Sequence, residues 1–161
     1  NKGKTILPEC EAKLTAASKM PGLDGQKMSK SYGNTITMRE APETVSKKIR
    51  GMPTDPARVR RTDPGSPAKC PVWQLHEVYS DGATKEWVKA GCTSAGIGCL
   101  DCKQPVIDAV VREQQPMFER AEKYLANPKL VAEILADGNA RAEKVARETM
   151  CDVRQALGLG R

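Results

Sequence analysis

From Pro105 to Leu125, Val106, Ile107, Val110, Val111, Met117, Phe118, Ala121 and Leu125 recur at the spacing of one helix face. That stripe commits the second half of the chain to α-helix, because a strand would alternate at period two. Pro116 falls inside the pattern and predicts a kink or break there. Asn127-Pro128 reads as the start of a further helix, with Val131, Ile134 and Leu135 buried and Gly138 ending it. Asn139 then caps a last helix with Ala142, Val145, Ala146, Thr149, Val153 and Leu157 inward, closed by Gly158. With one Phe, two Trp and three Tyr in 161 residues, the core must be built from Val, Leu, Ile, Ala and Met. The reading is a mainly α protein.

The region ahead of that stripe is less regular. Residues 1–36 read as the end of an α/β unit. Thr5-Ile6-Leu7 is a short strand end or extended segment, Leu14 to Met20 allows a helical turn, and a glycine-rich loop follows. Thr37 and Glu40 have capping-box spacing. Pro42 suits a first helical turn, Val45 and Ile49 share a face, and Gly51 ends the pattern. Between Gly51 and Pro71, five prolines (Pro53, Pro56, Pro64, Pro67 and Pro71) forbid a regular helix. Pro71 to Tyr79 and Thr84 to Ala90 then read as two short helices, with residues 91–98 a loop.

Six cysteines occur, and four of them cluster as Cys70, Cys92, Cys99 and Cys102. Two residues between Cys99 and Cys102 let both thiolates turn to one ion, and the glycines between Cys92 and Cys99 let backbone amides approach sulfur. Four thiolates can hold tetrahedral zinc or an iron–sulfur cube. Zinc ribbons usually present two tight pairs and this chain has one, which tilts the pattern towards a cluster. Cys10 and Cys151 read as lone, small apolar residues. The one histidine, His76, reads as a structural residue on the polar side of a helix near Cys70.

The net charge of +6 is uneven: residues 1–69 carry 14 Lys/Arg against 7 Asp/Glu. Positive charge concentrated there favours an anionic partner such as nucleotide or RNA. No apolar run approaches the roughly 20 residues of a membrane span, so a membrane partner is not expected. The first residues have no signal-peptide pattern and no initiator Met. They read as the middle of a longer, cytoplasmic protein whose C-terminal part this chain would be.

The glycine-rich loop carries the sharpest chemistry. It runs Pro21-Gly22-Leu23-Asp24-Gly25-Gln26-Lys27-Met28-Ser29-Lys30-Ser31-Tyr32-Gly33-Asn34. Lysines can meet phosphates as point charges, serine hydroxyls can donate to phosphate oxygens, and the glycines let the backbone turn sharply. A mobile loop of this kind can close over a triphosphate and stabilise charge on a departing pyrophosphate.

Lys27-Met28-Ser29-Lys30-Ser31, with its Gly-Leu-Asp-Gly lead-in and Ser-Tyr-Gly-Asn follow-on, resembles the KMSKS loop of class I aminoacyl-tRNA synthetases, and most of all that of tryptophanyl-tRNA synthetases. Leu7-Pro8-Glu9, the four cysteines and the run from Ala146 to Leu159 resemble the same family. The resemblance implies residues 1–36 as the tail of a Rossmann-type catalytic domain with its KMSKS loop. It implies residues 37–161 as a helical anticodon-binding domain with a four-cysteine site. It implies that the parent activates tryptophan with ATP and magnesium and transfers it to tRNA(Trp) as a homodimer, while this part alone is inactive. Lys27 and Lys30 would be the catalytic contacts to ATP phosphates. Ser29 and Ser31 would complete the ATP-binding set, with Met28 as the loop's apolar anchor. The subset with this cysteine pattern binds a [4Fe-4S] cluster, which the resemblance assigns to Cys70, Cys92, Cys99 and Cys102; zinc is the alternative. Lys47, Lys48, Arg50, Arg58, Arg60, Arg61 and Lys69 are candidates to meet tRNA phosphates.

Two other readings compete: a non-catalytic metal- or iron–sulfur-containing RNA-binding module, and an iron–sulfur redox sensor. The KMSKS-type loop discriminates, since a pure RNA binder has no use for a mobile phosphate loop.

Overall fold

The computed structural model of the chain describes residues 5–15 and 17–159. The fold is mainly helical: α1 (Pro42–Gly51), α2 (Pro71–Tyr79), α3 (Gly82–Thr93), α4 (Cys99–Leu125) and α5 (Pro128–Ala156), with short 3-10 turns at Lys30–Tyr32 and Pro67–Lys69. No strand forms among the described residues; Thr5–Leu7 is not one, and the only pairing of that kind is an isolated bridge between Pro21 and Lys27. The turn expected over Leu14–Met20 includes Ala16, which lies outside the described residues.

The chain divides into two compact units, residues 14–119 and the described parts of 1–13 and 120–161. In the first, Val45, Ile49 and Met52 of α1 and its end, Val72 and Leu75 of α2, and Val106, Ile107 and Val110 of α4 form one buried cluster. The i, i+3, i+4 spacing of each helix places these side chains on a single face, and burial of each removes apolar surface from water. The proline-rich segment from Gly51 to Pro71 is folded onto this core without being helical. Asp55 holds it: one carboxylate oxygen accepts from Ala57 N–H at 3.0 Å and the other from Ser66 N–H at 2.7 Å. These bonds favour the charged carboxylate and lower its pKa, the Ser66 bond most.

Lys103 closes the core from the other side. It is 3 % exposed, and its ammonium donates to the carbonyls of Arg50 at 2.8 Å and Met52 at 2.6 Å. Those carbonyls end α1, where helical partners run out and a cation is favoured. Gln114 on α4 adds a bond from Nε2 to the Thr37 carbonyl, 2.9 Å.

Several boundaries differ from the sequence expectation, each for a local reason. Glu40 does accept from Thr37 N–H at 3.2 Å, but α1 starts later, at Pro42. There the fixed proline φ suits a first turn. α3 starts at Gly82 because the Asp81 carboxylate caps Thr84 N–H at 2.8 Å, and it runs on through Cys92. α4 begins at Cys99, ahead of Pro105, since Asp101 reaches back to accept from Gly98 N–H at 3.0 Å. It also continues through Pro116 rather than breaking.

In the second unit the two helices expected after Asn127 are one. Asn127 caps α5 by accepting from Leu130 N–H at 3.1 Å, as the sequence suggested. Gly138 does not end it and Asn139 does not cap a new helix. A glycine inside a helix costs about 1 kcal/mol relative to alanine, and the Asp137–Arg141 ion pair at 3.0 Å spans the position. The true end is Gly158, in the left-handed region at φ +74°. There Leu159 N–H bonds Arg154 O and Gly158 N–H bonds Gln155 O, a Schellman closure. Ile134, Leu135, Val145 and Leu157, expected inward, are exposed, and α5 buries none of its residues.

Candidate functional site

The loop from Gly22 to Asn34 is wound around one side chain. Asn34, 4 % exposed, accepts from Ser29 N–H at 2.7 Å and donates through Nδ2 to Asp24 Oδ1 at 2.8 Å and to the Lys27 carbonyl at 3.2 Å. Its own carbonyl accepts from Leu23 N–H at 2.9 Å, and Met28 N–H bonds the Met20 carbonyl at 2.8 Å. Two glycines are required here. A Cβ on Gly22 would stand 2.2 Å from Asn34 Nδ2, and Gly25 sits at φ +81° with Pro71 where its Cβ would go.

This winding leaves the side chains of the turn unequally exposed. Lys27, Lys30 and Ser31 are exposed, Ser29 is half-buried, and Met28 turns inward. Met28 lines an apolar pocket of about 240 Å³ with Met20, Ile36, Met38, Leu75 and Met117. Two cations and two hydroxyls are thus carried on a short turn with an apolar tether beneath. An anion with several oxygens could be met there by point charges and by O–H donors together.

The four clustered cysteines also converge. Cys70 precedes α2, Cys92 lies in the last turn of α3, and Cys99 and Cys102 occupy the first turn of α4; all four line one cavity of about 20 Å³ with Asp55, Arg58 and Val72. Gly65 lets the backbone reach them: its N–H bonds the Cys92 carbonyl at 2.9 Å, and a Cβ would stand 2.6 Å from Cys92 Sγ. All four thiols are unbridged. Burial pushes the Cys102 thiol up to about 12, with Cys70, Cys92 and Cys99 adding to the shift. Burial likewise raises Cys92, opposed by Arg58. Among the described residues no three His, Cys, Asp or Glu side chains already meet at a single metal-ion position. Cys10 and Cys151 are both exposed and stand outside the cavity.

Two side chains beside the thiols were read differently from sequence. Arg58, expected among the phosphate-facing cations, is 9 % exposed; its guanidinium donates to the Ile97 carbonyl at 2.6 Å and the Arg61 carbonyl at 3.1 Å, and lies 4.0 Å from Cys92 Sγ. His76, expected on the polar side of α2, is fully buried, with Nε2 3.4 Å from Cys102 Sγ and Nδ1 2.8 Å from Ser80 Oγ. Desolvation lowers its pKa, which disfavours the charged ring, and the contact with Cys102 opposes that. Helical periodicity puts His76 four positions after Val72 and therefore on the buried face, a signal the polarity of the residue overrode.

The other basic candidates are scattered. Lys47, Arg60, Arg61 and Lys69 are exposed. Lys48 is held by Glu40 and the Thr35 carbonyl, and Arg50 bonds Gln104 Oε1 at 2.6 Å. Arg60 and Arg61 flank an open groove with exposed Val59 and Leu100, next to the cysteine cavity. No helix among the described residues is long and apolar enough to cross a membrane.

Comparison with known proteins follows the same lines. A family model described as tRNA synthetases class I (W and Y) matches residues 2–114. The tryptophan–tRNA ligase of Ralstonia nicotianae is 69% identical over 156 residues, which is 97% of this chain and 39% of that protein. That of Thermotoga maritima is 43% identical over 155 residues, 96% of this chain and 47% of that protein. Among solved structures, tryptophanyl-tRNA synthetase from Campylobacter jejuni complexed with ADP and tryptophan aligns with TM-score 0.72 and 27% identity, covering 87% of this chain and 43% of that one. The chain therefore spans less than half the length of these relatives.

Proposed function

We propose that this chain, which belongs to the class I tRNA synthetase family of the tryptophan and tyrosine enzymes, is the C-terminal part of a tryptophan–tRNA ligase. The observation that carries the reading is the 69% identity to such a ligase along nearly the whole chain. The lysine and serine loop supplies its chemistry. The whole enzyme would activate tryptophan with ATP and magnesium and transfer it to tRNA(Trp), as a cytoplasmic homodimer. Residues 1–36 would close its nucleotide-binding domain, and residues 37–161 would form the helical, anticodon-binding part.

In this reading Lys27 and Lys30 meet the ATP phosphates, Ser29 and Ser31 donate to their oxygens, and Met28 holds the loop to the apolar pocket beneath. Phosphoryl chemistry of this kind depends on position and charge more than on covalent help. Lys47, Arg50, Arg60, Arg61 and Lys69 remain as surface cations for tRNA phosphates. Arg58 and Lys48 are engaged inside the protein. Joining this chain to the missing N-terminal part is expected to restore tryptophan-dependent ATP–pyrophosphate exchange, while the 161-residue chain alone has none. A completed protein that stays inactive yet binds tRNA favours the non-catalytic RNA-binding reading.

The cysteine cavity is the proposed seat of a [4Fe-4S] cluster, with zinc the alternative. The donor set fits: four unbridged thiols face one space, and Arg58 offers N–H to the sulfur of Cys92. The space itself has room for about one water molecule, so a larger group requires the thiols to move apart. Once bound, such a group would cross-link Cys70 to the start of α4 and stiffen the fold. Anaerobic purification is expected to yield about four irons and four sulfides per chain with a broad visible absorption. One zinc without colour would make the site a plain structural one, and no metal at all would sink the assignment.

A further inference from the structure

We propose that Asn34 is a positioning residue for the phosphate loop, the internal post that fixes the backbone at Lys27 and Ser29 and so aims Lys27 and Lys30; this rests on the ATP reading of that loop. An asparagine amide has two N–H donors and one carbonyl acceptor. All of them are used, and each on a different part of the loop: Oδ1 on Ser29 N–H, Nδ2 on Asp24 Oδ1 and on the Lys27 carbonyl. The orientation of the amide is fixed by its partners. A carboxylate and a carbonyl can only accept, and a backbone N–H can only donate, so the amide cannot be flipped without losing every bond.

The two backbone contacts bracket Met28. They pin the peptide groups on either side of the inward-turned side chain and leave Lys27 and Lys30 outside. Asp24 is held in turn, since its Oδ1 also accepts from Gln26 N–H at 3.0 Å. The closeness of Gly22 to Nδ2 shows how little slack the post has. Asn34 itself is buried while Lys27 and Lys30 are exposed, so it acts through the loop and not on the phosphates.

Two measurements test this. In the 161-residue chain, Asn34→Ala is expected to speed amide hydrogen exchange at Ser29 at least tenfold, with the amides of α1 and α2 unchanged. In the intact enzyme the same variant is expected to lower ATP–pyrophosphate exchange tenfold or more, with the KM for tryptophan unchanged. The unchanged amides of α1 and α2 separate positioning from loss of fold, and a second pair of variants tests the bonds themselves. Asn34→Asp sets two carboxylates against each other and leaves the Lys27 carbonyl without a donor, and its rate is expected to match that of the alanine variant. Adding Asp24→Asn removes the repulsion but turns the atom that accepts from Gln26 N–H into a donor and leaves the Lys27 carbonyl unbonded, so the parent rate is not expected to return. Unchanged Ser29 exchange, an Asn34→Ala rate within twofold of the parent, or a double variant at the parent rate each overturns the proposal. If Lys27→Ala and Lys30→Ala also leave the rate intact, the ATP reading of the loop is what fails, and the hydrogen-exchange result stands apart from it.

Discussion

Replacing Lys30 by alanine in the intact enzyme is expected to lower tryptophan-dependent ATP–pyrophosphate exchange by about 10²–10³-fold, the range seen when one preorganised charge-stabilising donor is removed. The loss should fall on kcat, with the KM for tryptophan held, because in the proposed reading the ammonium acts as negative charge builds on the departing pyrophosphate. The structure leaves Lys30 available for such a contact. Lys30 is exposed at the start of a short 3-10 turn that ends at Gly33, so its ammonium is free of internal partners among the described contacts. Lys27, three residues earlier and also exposed, should show a similar pattern. Lys47→Ala, on a separate helix, should leave exchange unaltered. A Lys30→Ala enzyme with normal kcat and a raised KM for tryptophan would mean that the loop serves the amino acid and not the phosphates.

Ile49→Ala is expected to destabilise the unit of residues 14–119 by about 2–5 kcal/mol, the usual cost of truncating a buried aliphatic side chain and leaving a cavity. Ile49 is 0 % exposed and sits among Val45, Val72, Leu75 and Val106. Three helices contribute to that cluster, so no one of them can close the space alone. Urea unfolding of the 161-residue chain checks this: the midpoint should fall with the slope unchanged. A shift worth less than about 1 kcal/mol would mean that the three helices collapse readily onto the gap, and that the core is looser than the burial implies.

Some of this was legible before any coordinates. The α1 stripe of Val45 and Ile49, the span of α2, the cap at Asn127 and the close at Gly158 all follow from local chemistry: periodicity, proline at a first turn, a side-chain acceptor, a left-handed glycine. The pairing of Cys99 with Cys102 was legible from spacing, whereas the place of the distant Cys70 beside them rested on the family resemblance. What failed was any judgement that needed to know what lay across from a residue. Arg58 reads as a surface cation until the carbonyl of Ile97, far along the chain, is found bonded to it. His76 reads as polar until Cys102 is found beside it. Lys103 drew no notice, since nothing near it in sequence announces the two α1 carbonyls it caps. In α5 the error was one of degree: Gly138 and Asn139 resemble a helix end, but the penalty is smaller than the gain from continuing. Asn34 was visible as part of a motif, while its bonds to three separate points of the loop were not.

The bonds from Lys103 to Arg50 and Met52, and from Gln114 to Thr37, also set an order of events. They join residues 51, 53 and 77 positions apart. Helical proteins fold quickly when their contacts are local, and slow as the joined segments lie further apart in sequence. α1 is made before α4, and the lysine that closes its last turn and one of the helices that cover Val45 and Ile49 come more than fifty residues later. Until α4 is made, α1 has only α2 to cover its apolar face, and its last carbonyls lack the Lys103 ammonium. Its full set of contacts is complete only once α4 is present. Anything that binds apolar helices during translation would find its target there, in the interval between those two helices.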